Sequence, residues 1–73
     1  MEIKPGICRH FKGMEYRVIG AGKHSETLEP MVVYEALYNN PESKLWVRPL
    51  AMFVGEIERD GRHQPRFTFI RES

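Results

Sequence analysis

The sequence predicts an all-β domain: a small SH3-like barrel of five or six short antiparallel strands with one 3₁₀ turn. Three observations lead there. β-branched and aromatic residues gather in short runs, the runs alternate with a period of two, and Gly, Pro, Asn and Asp punctuate them at roughly ten-residue spacing. Closure follows from size, because 73 residues have little chain to spare for covering two open sheet edges. The alternative is an α+β domain in which residues 49–58 form a true helix; Gly55, in the middle of that run, argues against it.

The first strand is Ile7-Cys8-Arg9-His10-Phe11, held between the turn-forming pairs Pro5-Gly6 and Lys12-Gly13. In the second, Met14, Tyr16, Val18 and Gly20 alternate with Glu15, Arg17, Ile19 and Ala21, and Gly20 and Gly22 disfavour a helix. Residues 24–30 are polar and end in proline, as a hairpin loop does. Met31 to Tyr38 form the third strand, stopped by Asn39-Asn40-Pro41. Symmetric closure of the 24–30 loop sets Tyr16, Val18 and Gly20 opposite Tyr38, Ala36 and Tyr34 on the inside. Arg17 and Ile19 then share the outside with Leu37, Glu35 and Val33, and Tyr34 lies across the bare backbone of Gly20.

The fourth strand, Leu45 to Arg48, contains the only tryptophan. Alternation puts Leu45 and Val47 on one side, available to the core, and Trp46 and Arg48 on the other, facing outward. Pro49 ends the pairing and opens a turn of 3₁₀ or α helix through Phe53. Val54 to Arg59 resumes the alternation, Asp60-Gly61 marks a hairpin, and Pro65 to Ile70 closes the chain with Phe67 and Phe69 on one face.

Composition limits the function classes. The chain is long enough for one domain, residues 1–73 with a core over 6–70, and at this size a single core supplies only about 3–5 kcal/mol. With 41% hydrophobic and 29% charged residues it belongs with folding rather than disordered chains. Cys8 is the single cysteine, so no internal disulfide forms and a reducing compartment, the cytoplasm, is expected. Met1 to Gly6 hold no apolar run, so neither signal peptide nor membrane span is expected. A net charge of +1 sets up no strong global field toward nucleic acid. The charge is nonetheless segregated: residues 1–25 hold five bases and two acids, residues 26–43 four acids and no base, residues 44–73 six bases and four acids. Oppositely charged strands lying side by side account for that pattern.

Three chemistries could draw on these residues. A metal site would draw on Cys8 and His10, two apart on one strand, with His24 and His63. Only one close pair exists where zinc sites show two, so no metal is expected. Nucleophilic catalysis would draw on His24-Ser25-Glu26 or on Cys8 with His10. Neighbours in an extended segment point to opposite sides, and no serine elbow or phosphate loop is present. A small hydrolase-like enzyme using His, Cys and Glu stands as an alternative function, and a purely structural interaction domain as another. The preferred reading is a binding module without cofactor. Trp46 and Arg48, with Tyr34 or Tyr38 nearby, make an aromatic and guanidinium surface suited to nucleic acid or peptide. In the nucleic-acid case Arg17, Lys23 and Arg48 contact phosphates while rings stack on bases. The expected assembly is a monomer or weak homodimer. The structural counter-reading makes Trp46 a core residue and pairs Arg48 with Glu35.

Several motifs together resemble one family. They are Arg9-His10-Phe11-Lys12-Gly13 followed by Tyr16-Arg17-Val18, then His24-Ser25-Glu26-Thr27, and Val32 to Tyr38. Leu45-Trp46-Val47-Arg48-Pro49-Leu50, Met52-Phe53 and Pro65-Arg66-Phe67 follow. Over about residues 6–70 the chain is similar to a bacterial family of short proteins catalogued as a domain of unknown function, the DUF family numbered 1653. The resemblance implies a stand-alone bacterial cytoplasmic domain whose marked positions are His10, Arg17, His24, Glu26, Tyr34, Tyr38, Trp46 and Arg48. It transfers no activity or cofactor. Cys8 departs from the tyrosine expected before the Arg-His-Phe run.

Overall fold

Alternation along the first four runs builds one meander. In the computed structural model, which describes residues 4–72, the meander comprises β1 (Gly6–His10), β2 (Glu15–Lys23), β3 (Pro30–Ala36) and β4 (Leu45–Pro49). A single helical turn, α1 (Leu50–Phe53), leads into β5 (Glu56–Arg59), β6 (Arg62–Pro65) and β7 (Phe67–Arg71). Five strands form an antiparallel sheet in the order β4-β3-β2-β1-β7, and β5 and β6 form a separate two-stranded ribbon.

The all-β class with one helical turn is found, with seven strands where five or six were expected. Arg66 accounts for the extra strand. Its N–H donates to the Gly55 carbonyl at 3.1 Å and its carbonyl accepts from the Phe11 N–H at 2.9 Å. The chain therefore turns at Arg66: residues 62–65 fold back on β5, while residues 67–71 cross to β1. Hydrogen bonding among the described residues does not close the sheet into a barrel; β4 and β7 are its edges. The ribbon's turn is as read from the sequence, with Asp60 and Gly61 both at positive φ, 54° and 75°.

The helix of the α+β alternative does not run to residue 58. Pro49 caps α1 at φ −54°, and the last turn closes through Val54 N–H to Leu50 O at 3.0 Å. A Cβ at Gly55 would lie 3.0 Å from the Ala51 carbonyl, so the chain leaves the helix at a residue without one. Among the described residues no helix is long and apolar enough to cross a membrane.

The β2–β3 register corrects the expected one by two residues. Tyr16 pairs with Ala36 and Val18 with Tyr34, then a bulge intervenes and Gly20 pairs with Val33. Pro30 joins β3, which shortens the loop and shifts the register by one; the bulge at Ile19 adds the second. An even shift preserves the faces, so Tyr16, Val18, Tyr34 and Ala36 still point inward. The pairing of Tyr34 with Gly20 does not form.

The core consists of Cys8, Tyr16, Val18, Val32, Tyr34, Ala36 and Phe53, with Met14, Trp46, Leu50 and Phe67 packed against it. The opposite face of the sheet carries cross-strand ion pairs, Arg17–Glu35 at 2.7 Å, Arg9–Glu15 at 3.3 Å and Lys44–Glu35 at 3.8 Å. Each contributes at most about 1 kcal/mol at such exposure. Glu35 thus joins the acidic middle segment to both basic flanks, as the charge pattern anticipated.

β4 overturns the expectation that Leu45 and Val47 take the core side. They are 55% and 57% exposed, while Trp46 and Arg48 are half-buried on the inner face. Trp46 pairs directly with the buried Tyr34, and that pairing decides which side of β4 meets the core.

Candidate functional site

One end of the inner face gathers aromatic rings around Phe67. As the cross-strand neighbour of His10, Phe67 meets that imidazole edge-on at 5.0 Å between centroids. Tyr16 and Tyr34 approach it at 5.8 and 5.5 Å, also edge-on, and Phe53 stacks on it at 4.2 Å with 11° between planes. Edge-to-face geometry sets the positive rim of one ring against the negative face of the next, which adds about 0.5–1.5 kcal/mol per pair beyond area burial.

Hydroxyls and cations line the upper side of this cluster. The Tyr16 and Tyr38 hydroxyls lie 2.5 Å apart, and Asn40 Nδ2 donates to Tyr38 Oη at 3.0 Å. Arg48 Nε donates to Tyr34 Oη at 3.3 Å, and its guanidinium sits 5.8 Å from the centre of Phe67. Lys12 and Arg59 each lie 5.9 Å from the centre of the Phe11 ring, which leans on His10 at 4.4 Å. None of the ion pairs among the described residues involves Lys12, Arg48, Arg59 or Arg66. The Nε of Arg66 is buried without a hydrogen-bond partner among the described residues.

This arrangement shapes the titration of its members. Burial depresses the pKa of His10 below its ordinary value, and the charges of Arg48, Lys12 and Arg66 depress it further. His10 Nδ1 accepts from the Lys12 N–H at 3.2 Å, so a neutral ring carries its proton on Nε2. Burial raises the Tyr16 pKa well above the usual phenol range, and the hydrogen bond to Tyr38 raises it further. At neutral pH the face presents cations, neutral donors and rings.

Of the residues selected on sequence, His10, Tyr34, Tyr38 and Arg48 converge here. Trp46 stands beside Tyr34, half-buried, its Nε1 donating to the Ser43 carbonyl at 3.0 Å. The outward indole expected from the sequence is thus turned to the core face, and Arg48 is not paired with Glu35, which lies on the other side of the sheet. Arg17 projects from that other side, bound to Glu35. His24 and Glu26 occupy the β2–β3 turn; the nine residues of β2 place them roughly 25 Å away. His24 Nδ1 accepts from the N–H groups of Glu26 and Thr27 at 3.1 and 3.3 Å, a turn-capping role. Lys23, considered for phosphate contact, also lies at that far end.

The Cys8 thiol is buried, and that burial raises its pKa, the reverse of what an activated thiolate needs. It lines an open apolar cavity of about 360 Å³ together with Phe53, Phe67, Phe69 and Val54, with Lys4 alongside. His63 projects from β6 beside Glu56 and Glu58, apart from Cys8, His10 and His24. Sequence reasoning missed Phe11, Lys12, Tyr16, Arg59, Arg66 and Phe67 as site residues. Arg66-Phe67 and Phe11-Lys12 were visible as basic and aromatic neighbours, but only the cross-strand pairing of His10 with Phe67 brings them together.

The family model described as "Protein of unknown function (DUF1653)" matches residues 6–69. A crystal structure of a protein belonging to DUF1653 from Bordetella bronchiseptica shares 31% identity with this chain and a TM-score of 0.90. The match covers 97% of this chain and 91% of that one. No curated protein matches.

Proposed function

Since this chain belongs to the DUF1653 family of proteins of unknown function, its role has to be read from its own surface, and we propose that it binds single-stranded nucleic acid along the cation and aromatic face. One observation carries the reading: Lys12 and Arg59 lie over the ring of Phe11, Arg48 over that of Phe67 and Arg66 beside His10, and none of the four has an acidic partner among the described residues. Cations interleaved with rings suit a strand whose phosphates are periodic and whose bases stack without regard to sequence. With a net charge of only +1, attraction is confined to this face.

Each group has a part. Phe11, held at the edge by Lys12 and Arg59, offers its ring to a base. Arg48 is aimed by the Tyr34 hydroxyl and gives planar donors to a phosphate. Arg66 adds positive charge beside His10, and Tyr38 and Trp46 complete the border. His10, neutral, donates from Nε2 rather than adding charge. Arg17, His24 and Glu26 stand outside the proposed site. The module works in the cytoplasm of a bacterium and needs no cofactor.

Heteronuclear NMR titration with a short oligouridylate or oligothymidylate tests this. The expected result is shift changes confined to residues 10–12, 38, 46–48, 59 and 66–67. Changes confined to the outer face around Arg17 and Glu35, or none at millimolar oligonucleotide, would exclude it.

A further inference from the structure

We infer that β4 is a self-complementary edge through which two copies of this chain pair, antiparallel, about a two-fold axis at Val47. β4 borders the five-stranded sheet, and an antiparallel strand directs its backbone groups alternately to one side and the other. The Ala36 N–H donates to the Lys44 carbonyl at 2.8 Å. Lys44, Trp46 and Arg48 therefore turn their backbone groups toward β3, while Leu45, Val47 and Pro49 turn theirs to the open side.

That outward row consists of the N–H donors of Leu45 and Val47 and the carbonyls of all three residues, with no donor at Pro49, whose carbonyl also closes the first turn of α1 as its cap. A second copy fits it. With Val47 opposite Val47, each Val47 N–H meets its counterpart's carbonyl, and each Leu45 N–H meets the one lone pair that α1 leaves open on the Pro49 carbonyl across the axis. The missing Pro49 donor falls opposite the Leu45 carbonyl, which already accepts from the Ser43 hydroxyl at 2.7 Å. No outward group in the row is left worse off than in the free chain.

The side chains agree with the backbone. Leu45 and Val47, more than half exposed, extend the outer face beside the half-buried Val33 and would cover their counterparts across the axis. On the inner face the same register sets Trp46 beside the stem of the second copy's Arg48, whose guanidinium stays with Tyr34 and Phe67 of its own chain. An apolar edge strand whose middle carries no charge on its outer face is an open template for another strand. Five residues per copy make a small contact, so association is weak and concentration-dependent.

Sedimentation equilibrium and amide exchange of the full chain, from about 10 μM to about 1 mM, test the pairing. The mass should rise from monomer toward dimer. Over the same range the Leu45 and Val47 amides should gain protection, while those of Trp46 and Arg48 stay protected throughout. Val47→Lys sets like charges face to face at the axis and should weaken association at least about tenfold while dilute protein melts as wild type. If that variant melts early, Leu45→Lys replaces it with the same expectation. A monomer mass over the whole range overturns the inference. So does wild-type association in a folded lysine variant, or Leu45 and Val47 exchange independent of concentration.

Discussion

Truncating Phe67 to alanine should be among the most damaging single changes in this chain, and the structure sets the size of the effect. Phe67 contacts the rings of His10, Tyr16, Tyr34 and Phe53 and underlies Arg48. A fully buried phenylalanine costs about 3–5 kcal/mol on truncation, and half-burial brings the figure to about 2–3 kcal/mol. Against a total of about 4–10 kcal/mol for a domain of this length, that is a large fraction. At about 4–8 °C per kcal/mol, the melting temperature should fall by about 10–20 °C. Phe69 supplies the internal control. It lies two residues along β7 and is 43% exposed, so Phe69→Ala should cost about 1 kcal/mol. Urea unfolding followed by circular dichroism measures both. Equal costs for the two variants, or a Phe67→Ala cost within about 0.5 kcal/mol of zero, would refute the hub assigned to Phe67. Phe67→Leu keeps much of the volume at about 1.5 kcal/mol or less. It should fold, yet bind oligonucleotide more weakly because the ring under Arg48 is gone.

His10 is harder to protonate in the folded chain than in the unfolded one, so the unfolded state takes up more protons below the ordinary pKa of 6.5. Stability should therefore fall as pH drops from 7 toward about 5, and urea melts of His10→Gln should lose that part of the slope. Tyr38→Phe removes the hydroxyl that meets Tyr16, so ultraviolet titration should show Tyr16 ionising at lower pH than in wild type, though still above the ordinary 10 because its burial persists. The same change should cost about 1 kcal/mol; an unmoved Tyr16 titration would contradict the contact. Gly6 sits at φ +154°, and a Cβ there would lie 2.6 Å from the Arg71 carbonyl. Thermal melts should show Gly6→Ala losing about 2 kcal/mol or more, whereas Gly22→Ala, with nothing within 4 Å of its Cβ, should stay within about 0.5 kcal/mol.

The strands of this fold are written locally, and the site is not. Ile7 to Phe11, Met31 to Tyr38 and Leu45 to Arg48 predict β1, β3 and β4 to within a residue or two because alternation and turn residues act over neighbours. Asp60-Gly61 was legible for the same reason. The Ile19 bulge was not, since it arises from fitting two strands whose turn is already fixed. Nor was the break at Arg66, which depends on hydrogen bonds to Gly55 and Phe11. Alternation in β4 sorted Trp46 and Arg48 from Leu45 and Val47 correctly but could not say which pair faced inward. Pairing with Tyr34 decides that, and it lies on another strand. Of the eight site residues selected on sequence, His10, Tyr34 and Arg48 meet around Phe67, Tyr38 joins them through Tyr16 and Trp46 through Tyr34. Alternation keeps Arg17 on the outer face, and the length of β2 carries His24 and Glu26 away.

The salt dependence of oligonucleotide binding, measured side by side for wild type, Arg48→Ala and Arg17→Ala, tests the cation and aromatic face most directly. With three or four phosphates neutralised, the wild-type affinity should fall with a log–log slope of about −2 to −3. Arg48→Ala should flatten it by about 0.7, and Arg17→Ala, whose guanidinium is engaged by Glu35 on the other face, should leave it unchanged. A wild-type slope near zero, or a loss on Arg17→Ala equal to that on Arg48→Ala, would contradict the cation and aromatic face as the binding surface.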